Sequence, residues 1–247
     1  MRPVLVVELL GHSFFAGRLE DLRSVVEDAV EQGRKLHIVT VNPEMLMLRD
    51  PRFLEVLASA ELRLPDGMGV VWASRLLRRG VLQRLPGIEV AEAIMAWGSE
   101  RGWGFYFLGA REGVVQQAVR AMQHRYPSLK VCGCHHGYFT DDTEVVEDIK
   151  RTAPEVLFVG MGVPKQELWI ARYREVLPVR VFMGVGGSFD VWAGRLPRAP
   201  LFFRSLGLEW LWRLFLEPRR IRRVVPAFFR FGLRLLREKW WGWYNTG

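Results

Sequence analysis

The chain has 247 residues, 49% of them hydrophobic and 25% charged, enough apolar surface for a sizeable core and too much for a disordered chain. Two cysteines exclude a disulfide framework, and the apolar start from Val4 to Leu10 is broken by Glu8 and has no cleavage-site pattern. No uncharged apolar run reaches the roughly 18 residues of a spanning helix, so a cytoplasmic protein is expected. The net charge of +8 is uneven: residues 195–247 hold 12 Arg or Lys against 3 Asp or Glu (net +9), and residues 1–194 hold 23 basic against 24 acidic (net −1).

In chain order, Pro3–Leu10 and His12–Phe15 read as a small hairpin or a first strand with an irregular end. Leu19–Gln32 reads as a helix stopped at Gly33, and Lys35–Thr40 as a strand running into Asn42-Pro43, where Pro43 can open the next helix. Met45–Leu48 and Phe53–Ala60 look helical, with Pro51 between them. Leu62–Leu64 is a short apolar strand, followed by Pro65-Asp66-Gly67 and a helix carrying Val70, Val71 and Leu76. Ile88–Arg101 is helical, and then strand and helix alternate. The strands are Gly104–Leu108, Lys130–Cys134, Val156–Val159 and Val179–Val185; the helices are Glu112–Tyr126, Thr143–Thr152 and Gln166–Tyr173. This alternation predicts an α/β fold with a mainly parallel sheet covered on both faces. The composition shift near Pro197 and Pro200 predicts a core over 1–196 and a helical, basic and aromatic appendage over 197–247.

Asp66 stands where a strand ends and a helix begins, the edge at which open α/β sheets bind ligands. Its carboxylate could instead cap the helix or make an Asp-Gly turn, and position alone leaves both readings open. Glycines end several strands: Gly109, Gly160, Gly162, Gly184, Gly186 and Gly187. Each alone suits any tight turn; together they suit a phosphate approached by backbone N–H groups. Gly160-Met161-Gly162 lacks the third glycine of a dinucleotide fingerprint, which disfavours a nicotinamide-dependent dehydrogenase. Cys132-Gly133-Cys134-His135-His136 has no second ligand cluster, so buried strand thiols are expected rather than a metal site. There is no Asp-x-Asp to hold a metal-bridged diphosphate and no Gly-x-Ser-x-Gly nucleophile elbow.

The tail interleaves arginines with aromatic residues, Trp210, Trp212, Trp240, Trp241 and Trp243 among them, a composition that suits nucleic acid or an anionic membrane surface. Arg213, Arg220 and Arg223 would share one face if a helix persisted through Pro218. A row of guanidinium groups suits a diphosphate; a solvated basic face is the plainer alternative.

Taken together, these stretches resemble the WecG/TagA/CpsF family of bacterial glycosyltransferases. The matching pieces are Thr40-Val41-Asn42-Pro43, Pro65-Asp66-Gly67-Met68-Gly69, Arg84 with Gly87, and His136-Gly137-Tyr138-Phe139. They continue through Gly160 to Glu167, Gly186 to Asp190, Gly207-Leu208-Glu209-Trp210 and Glu217-Pro218-Arg219-Arg220, in family order. Val224, where many members carry an aromatic residue, and the Arg/Trp-rich end after Pro226 depart from the pattern.

The resemblance implies a Rossmann-like core whose C-terminal appendage completes the site. It also implies inverting transfer of a sugar from a UDP-sugar to a polyprenyl-diphosphate-linked sugar in cell-wall or surface polysaccharide synthesis. N-Acetylmannosamine is the expected sugar, with N-acetylmannosaminuronate or glucose as alternatives. Under it Asp66 matches the general base, and Thr40, Asn42, Arg84 and Gln166 match polar active-site positions. Arg213, Arg220 and Arg223 match residues that hold the donor diphosphate, and Tyr138 and Asp190 belong to the nucleoside pocket. Gly109, Gly160, Gly162, Gly186 and Gly187 complete the expected UDP-sugar site.

No metal or other cofactor is expected. The tail is expected to lie on the inner face of the cell membrane, and its apolar surface could also support a homo-oligomer. Deleting residues from 197 onward is expected to leave a folded, soluble core. The non-enzyme alternative, a basic nucleic-acid-binding protein with a Rossmann-like core, is weakened by the confinement of the charge to an apolar, aromatic tail.

Overall fold

The computed structural model describes the backbone of residues 5–244 and the side chains of residues 5–240. Pro3 and Val4, expected in the first strand, and the side chains of Trp241 and Trp243 lie outside the described residues. The chain opens with an antiparallel hairpin, β1 (Val6–Leu9) and β2 (His12–Phe15). Leu10 and Gly11 turn it with positive φ. The main sheet has six strands: β3 (Leu36–Val41), β4 (Leu62–Pro65), β5 (Gly104–Gly109), β6 (Lys130–His135), β7 (Val156–Gly160) and β8 (Val181–Gly184). They lie in the order β4-β3-β8-β7-β5-β6, and every pairing is parallel. The carboxyl ends of all six strands share one edge of the sheet, the edge at which open α/β sheets bind ligands.

Side chains alternate across this sheet with the two-residue period of a strand. Phe105, Phe107, Phe158 and Met183 face one hydrophobic cluster, roofed by α1 (Leu19–Glu31), α4 (Gly87–Arg101) and α5 (Val114–Arg125). Tyr106, Leu108, Leu157, Val159 and Phe182 face another, under α6 (Thr143–Thr152) and α7 (Lys165–Tyr173). Burial on both faces explains why these strands read as continuous apolar runs. On β3, Ile38 joins the first cluster, while Val39 and Val41 join a third with the hairpin, α2 (Pro51–Ser59) and α3 (Met68–Leu76).

Two local expectations change, and one condition left open by the sequence is not met. Pro51 does not separate two helices but is the first residue of α2, where a missing N–H costs nothing; Asp50 caps it by accepting from Arg52 N at 3.0 Å. Cys132 and Cys134 are half-buried rather than buried, because β6 is an edge strand. The helix does not persist through Pro218. Helix α8 (Ser188–Trp192) and α9 (Leu201–Ser205) lead to α10 (Glu209–Leu216), which stops at Glu217 with φ −130° and ψ 74°. A residue before proline is driven out of the helical region by the proline ring. A single 3-10 turn (Pro218–Arg220) then redirects the chain into α11 (Ile221–Tyr244).

Helix α11 returns to the body of the molecule. Val224, Ala227, Phe231 and Leu235 form its buried stripe, and Phe231 and Leu235 join the cluster of Leu9, Phe14, Val39 and Val41. Arg234 donates to the Leu10 carbonyl at 2.9 Å. The residues beyond 197 therefore share a hydrophobic core with the strands before it. Among the described residues no helix is long and apolar enough to cross a membrane.

Candidate active site

A cavity of about 540 Å³ opens at the carboxyl ends of β3, β4 and β8 and is roofed by α10 and α11. It is lined by Thr40, Asn42, Asp66, Arg84, Gly162, Gln166, Gly186, Gly187, Arg213, Arg220 and Arg223, so most of the expected site residues converge there. Gly109, Gly160, Tyr138 and Asp190 do not line it. Gly109 and Gly160 serve strand packing instead: a Cβ on Gly109 would stand 2.4 Å from the Gly160 carbonyl oxygen, and one on Gly160 would stand 2.7 Å from the Phe189 ring. Tyr138 is 70% exposed outside the cavity. Asp190 lies beside Gly187, its pKa raised by burial and by Glu217 against the pull of Arg111 and Arg213.

Asp66 hangs from the end of β4, its N–H donating to the Val41 carbonyl at 3.0 Å. Its carboxylate does not cap the helix that follows it, whose N-cap is Gly67. It accepts instead from Gly87 N at 3.0 Å, the first residue of α4, a different helix. Gly87 fits because a Cβ there would meet Thr40 Oγ1 at 3.0 Å. Burial raises the Asp66 pKa above its ordinary value, opposed by the Gly87 N–H, Arg84 and Arg213 and reinforced by Glu209. A carboxylate held in one geometry by a backbone donor, with its proton affinity raised, has the properties of a general base.

Asn42 Oδ1 accepts from Met45 N at 3.1 Å and shapes the 3-10 turn Met45–Met47 that lines the cavity through Met45. Arg84 uses all three of its nitrogens: Nε donates to the Asp66 carbonyl at 3.0 Å, one terminal nitrogen to the Arg204 carbonyl at 3.0 Å, and the other to the Glu209 carboxylate. Gln166 Oε1 accepts from Gly162 N at 3.1 Å and Gly186 N at 3.0 Å, and Nε2 donates to Glu167 Oε1 at 2.7 Å. Glu167 is 1% exposed and its Oε2 has no partner; burial pushes its pKa up to about 7.

The broken tail helix brings its three arginines to one cavity. Arg213 reaches toward Gly187, Arg220 pairs with Glu217 at 3.0 Å, and Arg223 pairs with Glu44 at 2.5 Å. Burial lowers the Arg220 pKa; Glu217 opposes this, and neighbouring Arg213 and Arg223 add to it. Three clustered guanidinium groups that repel one another favour an anion between them. Among the described residues no group of three or more His, Cys, Asp or Glu is placed to hold a metal ion.

Sequence reading missed Glu167 and Glu209. Both stand inside quoted motifs, and the available signal was an acidic residue beside an apolar helical stripe, where an unpaired charge is costly.

The family model described as Glycosyl transferase WecG/TagA/CpsF family matches residues 7–245. A relative from Staphylococcus aureus (strain NCTC 8325) is 39% identical over 205 residues, 81% of this chain and 80% of its own. One from Bacillus subtilis (strain 168) is 36% identical over 204 residues, 82% and 79% of the two chains. One from Bacillus spizizenii is 35% identical over 198 residues, 79% and 77%. Each is named N-acetylglucosaminyldiphosphoundecaprenol N-acetyl-beta-D-mannosaminyltransferase. With the match running from the hairpin through α11, the chain belongs to the WecG/TagA/CpsF family of glycosyl transferases.

Proposed function

We propose that this glycosyltransferase moves N-acetylmannosamine from a UDP-linked donor to N-acetylglucosamine on a polyprenyl diphosphate, with inversion at the transferred anomeric carbon. The acceptor and sugar follow the names of the relatives. The observation that carries the reading is the meeting of Asp66, from the end of β4, with Arg213, Arg220 and Arg223, from the tail, in one cavity. The acceptor hydroxyl attacks the anomeric carbon as its proton passes to Asp66. The bond to the diphosphate oxygen breaks, and UDP leaves with its charge held by the three arginines, the electrostatic role that a metal ion fills elsewhere. Glycine backbone at 162, 186 and 187 lets a phosphate approach the N–H groups. On the opposite flank Met45, Leu48, Met68, Val224 and Phe228 give an apolar wall suited to the acceptor's lipid.

Peripheral binding to the inner face of the membrane fits the outward side of α11. There Val225, Phe229, Leu233, Leu236 and Trp240 form a second, exposed apolar stripe at helical spacing, beside Arg222, Arg230 and Arg237. A helix of this pattern lies in the interface plane, with the arginines at the headgroups. A donor panel read as UDP release, with a short-chain N-acetylglucosamine-diphospholipid acceptor, tests the reaction. UDP-N-acetylmannosamine should be the only donor turned over rapidly, and preference for UDP-N-acetylmannosaminuronate or UDP-glucose would reassign the sugar. Release of no UDP from any donor would overturn the reading.

A further inference from the structure

Glu209 lines the cavity but is placed to touch Arg84 rather than a substrate. The Arg84–Glu209 pair is largely buried, with side-chain exposures of 16% and 21%, and it joins two parts of the chain that the site needs together. Arg84 hangs on the Asp66 turn through the Asp66 carbonyl; Glu209 and the Arg204 carbonyl belong to the tail that brings Arg213 into the cavity. The Asp66 carboxylate meanwhile bonds Gly87 N and makes no bond to Arg84, although the same residue's carbonyl does. The guanidinium is thus held on the backbone side of Asp66 by an anion supplied by α10. Without that anion, the Arg84 cation still acts on the Asp66 carboxylate, whose own backbone carbonyl it holds.

We propose that Glu209 is a positioning residue for sugar transfer: it holds the Arg84 cation against the tail and so leaves the Asp66 carboxylate free to take a proton. This rests on the reading of Asp66 as the base. The charged groups that act on the Asp66 carboxylate are Arg84, Arg213 and Glu209; Glu44, Arg198, Arg220 and Arg223 line the same cavity. Removing the Glu209 charge leaves Arg84 and Arg213 without opposition, which favours ionised Asp66 and draws Arg84 onto it. An ion-paired Asp66 is a weaker base. Glu209 also links the tail to the base turn, so a tail lifted from the site would leave the base in its impaired state.

The test uses the full chain with the donor and acceptor named above. Glu209→Gln should lower kcat about tenfold, less than the roughly 10²–10⁴ that a general base contributes because the base is impaired and not removed, and change the donor KM far less. The acid limb of its kcat/KM profile should move to lower pH, and Arg84→Gln should move that limb to higher pH. The double variant should lose less than the product of the single losses, because one residue acts through the other. Glu209→Asp, which keeps the charge, should restore part of the rate.

Amide exchange supplies a readout independent of turnover: Glu209→Gln should speed exchange at residues 66–69 and at Gly87 together with residues 204–210. Faster exchange in the tail alone, with an unmoved acid limb, would overturn the proposal. If the wild-type chain turns over no donor, the reaction reading fails, and the exchange experiment still decides the link between Glu209 and the base turn.

Discussion

The amide of Gln166 is committed to the protein, with its oxygen between the N–H groups of Gly162 and Gly186 and its nitrogen on Glu167. It pins the turn after β7 to the turn after β8, and these two turns carry the glycines that line the cavity. Gln166 therefore acts by shaping the site. Gln166→Ala should leave two N–H groups without acceptors, a loss of about 1–3 kcal/mol each where water cannot reach. For a chain of this length about 1 kcal/mol corresponds to roughly 2–4 °C in Tm. Calorimetry should show a fall of several degrees, and titration calorimetry weaker UDP binding. Unchanged Tm with lost turnover would instead assign Gln166 to the substrate.

Glu167 gives this clamp a pH dependence. Its folded pKa of about 7 lies above the ordinary 4.5, so the folded state binds more protons between these values. Its contribution to stability is therefore fullest below about 4.5 and falls as pH rises through 7. Glu167→Gln keeps an acceptor for Gln166 and removes the titration. The Tm of the variant minus that of the wild type should rise between these pH values and level off above them. A difference independent of pH would refute the assignment.

Asp66→Asn should retain UDP binding and lose roughly 10²–10⁴ in turnover. Because burial raises the Asp66 pKa, the wild-type acid limb should lie above the ordinary carboxylate value of 3.8, and the variant should lack it. Near-normal turnover in the variant would remove Asp66 from the mechanism.

Arg220→Ala should cost activity about 10²–10³-fold, the range for removing one preorganised donor to a developing anion, while Tm changes little. On the proposed reading, in which arginines and not a metal ion take up the diphosphate charge, EDTA should leave turnover unchanged. Abolition by EDTA and recovery with magnesium would show that a metal shares the work.

The alternation of strand and helix made the parallel sheet legible, because a two-sided sheet writes itself as short apolar runs such as Phe105–Leu108 and Val156–Val159. Asp66, Arg84 and the tail arginines were legible through their motifs. Their partners were not. That Asp66 reaches Gly87, and Arg84 reaches Glu209, are long-range facts with no local pattern. Arginine spacing across Pro218 left open whether the tail helix continues; the break comes from the proline's effect on Glu217, which is steric and local. Nor did composition indicate that α11 has two apolar stripes, one spent on the core. Removing residues from 197 onward should uncover Leu9, Phe14 and Val39 and lower the Tm, so a shortened chain is a poor probe of membrane binding. Phe229→Ser with Trp240→Ser, both on the outward stripe, should abolish sedimentation with anionic liposomes at low salt and leave the Tm within a few degrees. Undiminished sedimentation would place the contact elsewhere.

The bond from Arg234 to Leu10 spans 224 positions, and it has a meaning for synthesis on the ribosome. The hairpin emerges well before the helix that seals it, so the cluster around Val39 and Val41 stays open while the six-stranded sheet between them is being made. Contacts of such separation are slow to form and leave apolar surface exposed meanwhile. The arginines at 213, 220 and 223 arrive just before the seal. Stalled nascent chains of increasing length should therefore gain UDP affinity abruptly, once residues 231 and 235 have cleared the exit tunnel, and not in step with the appearance of each arginine.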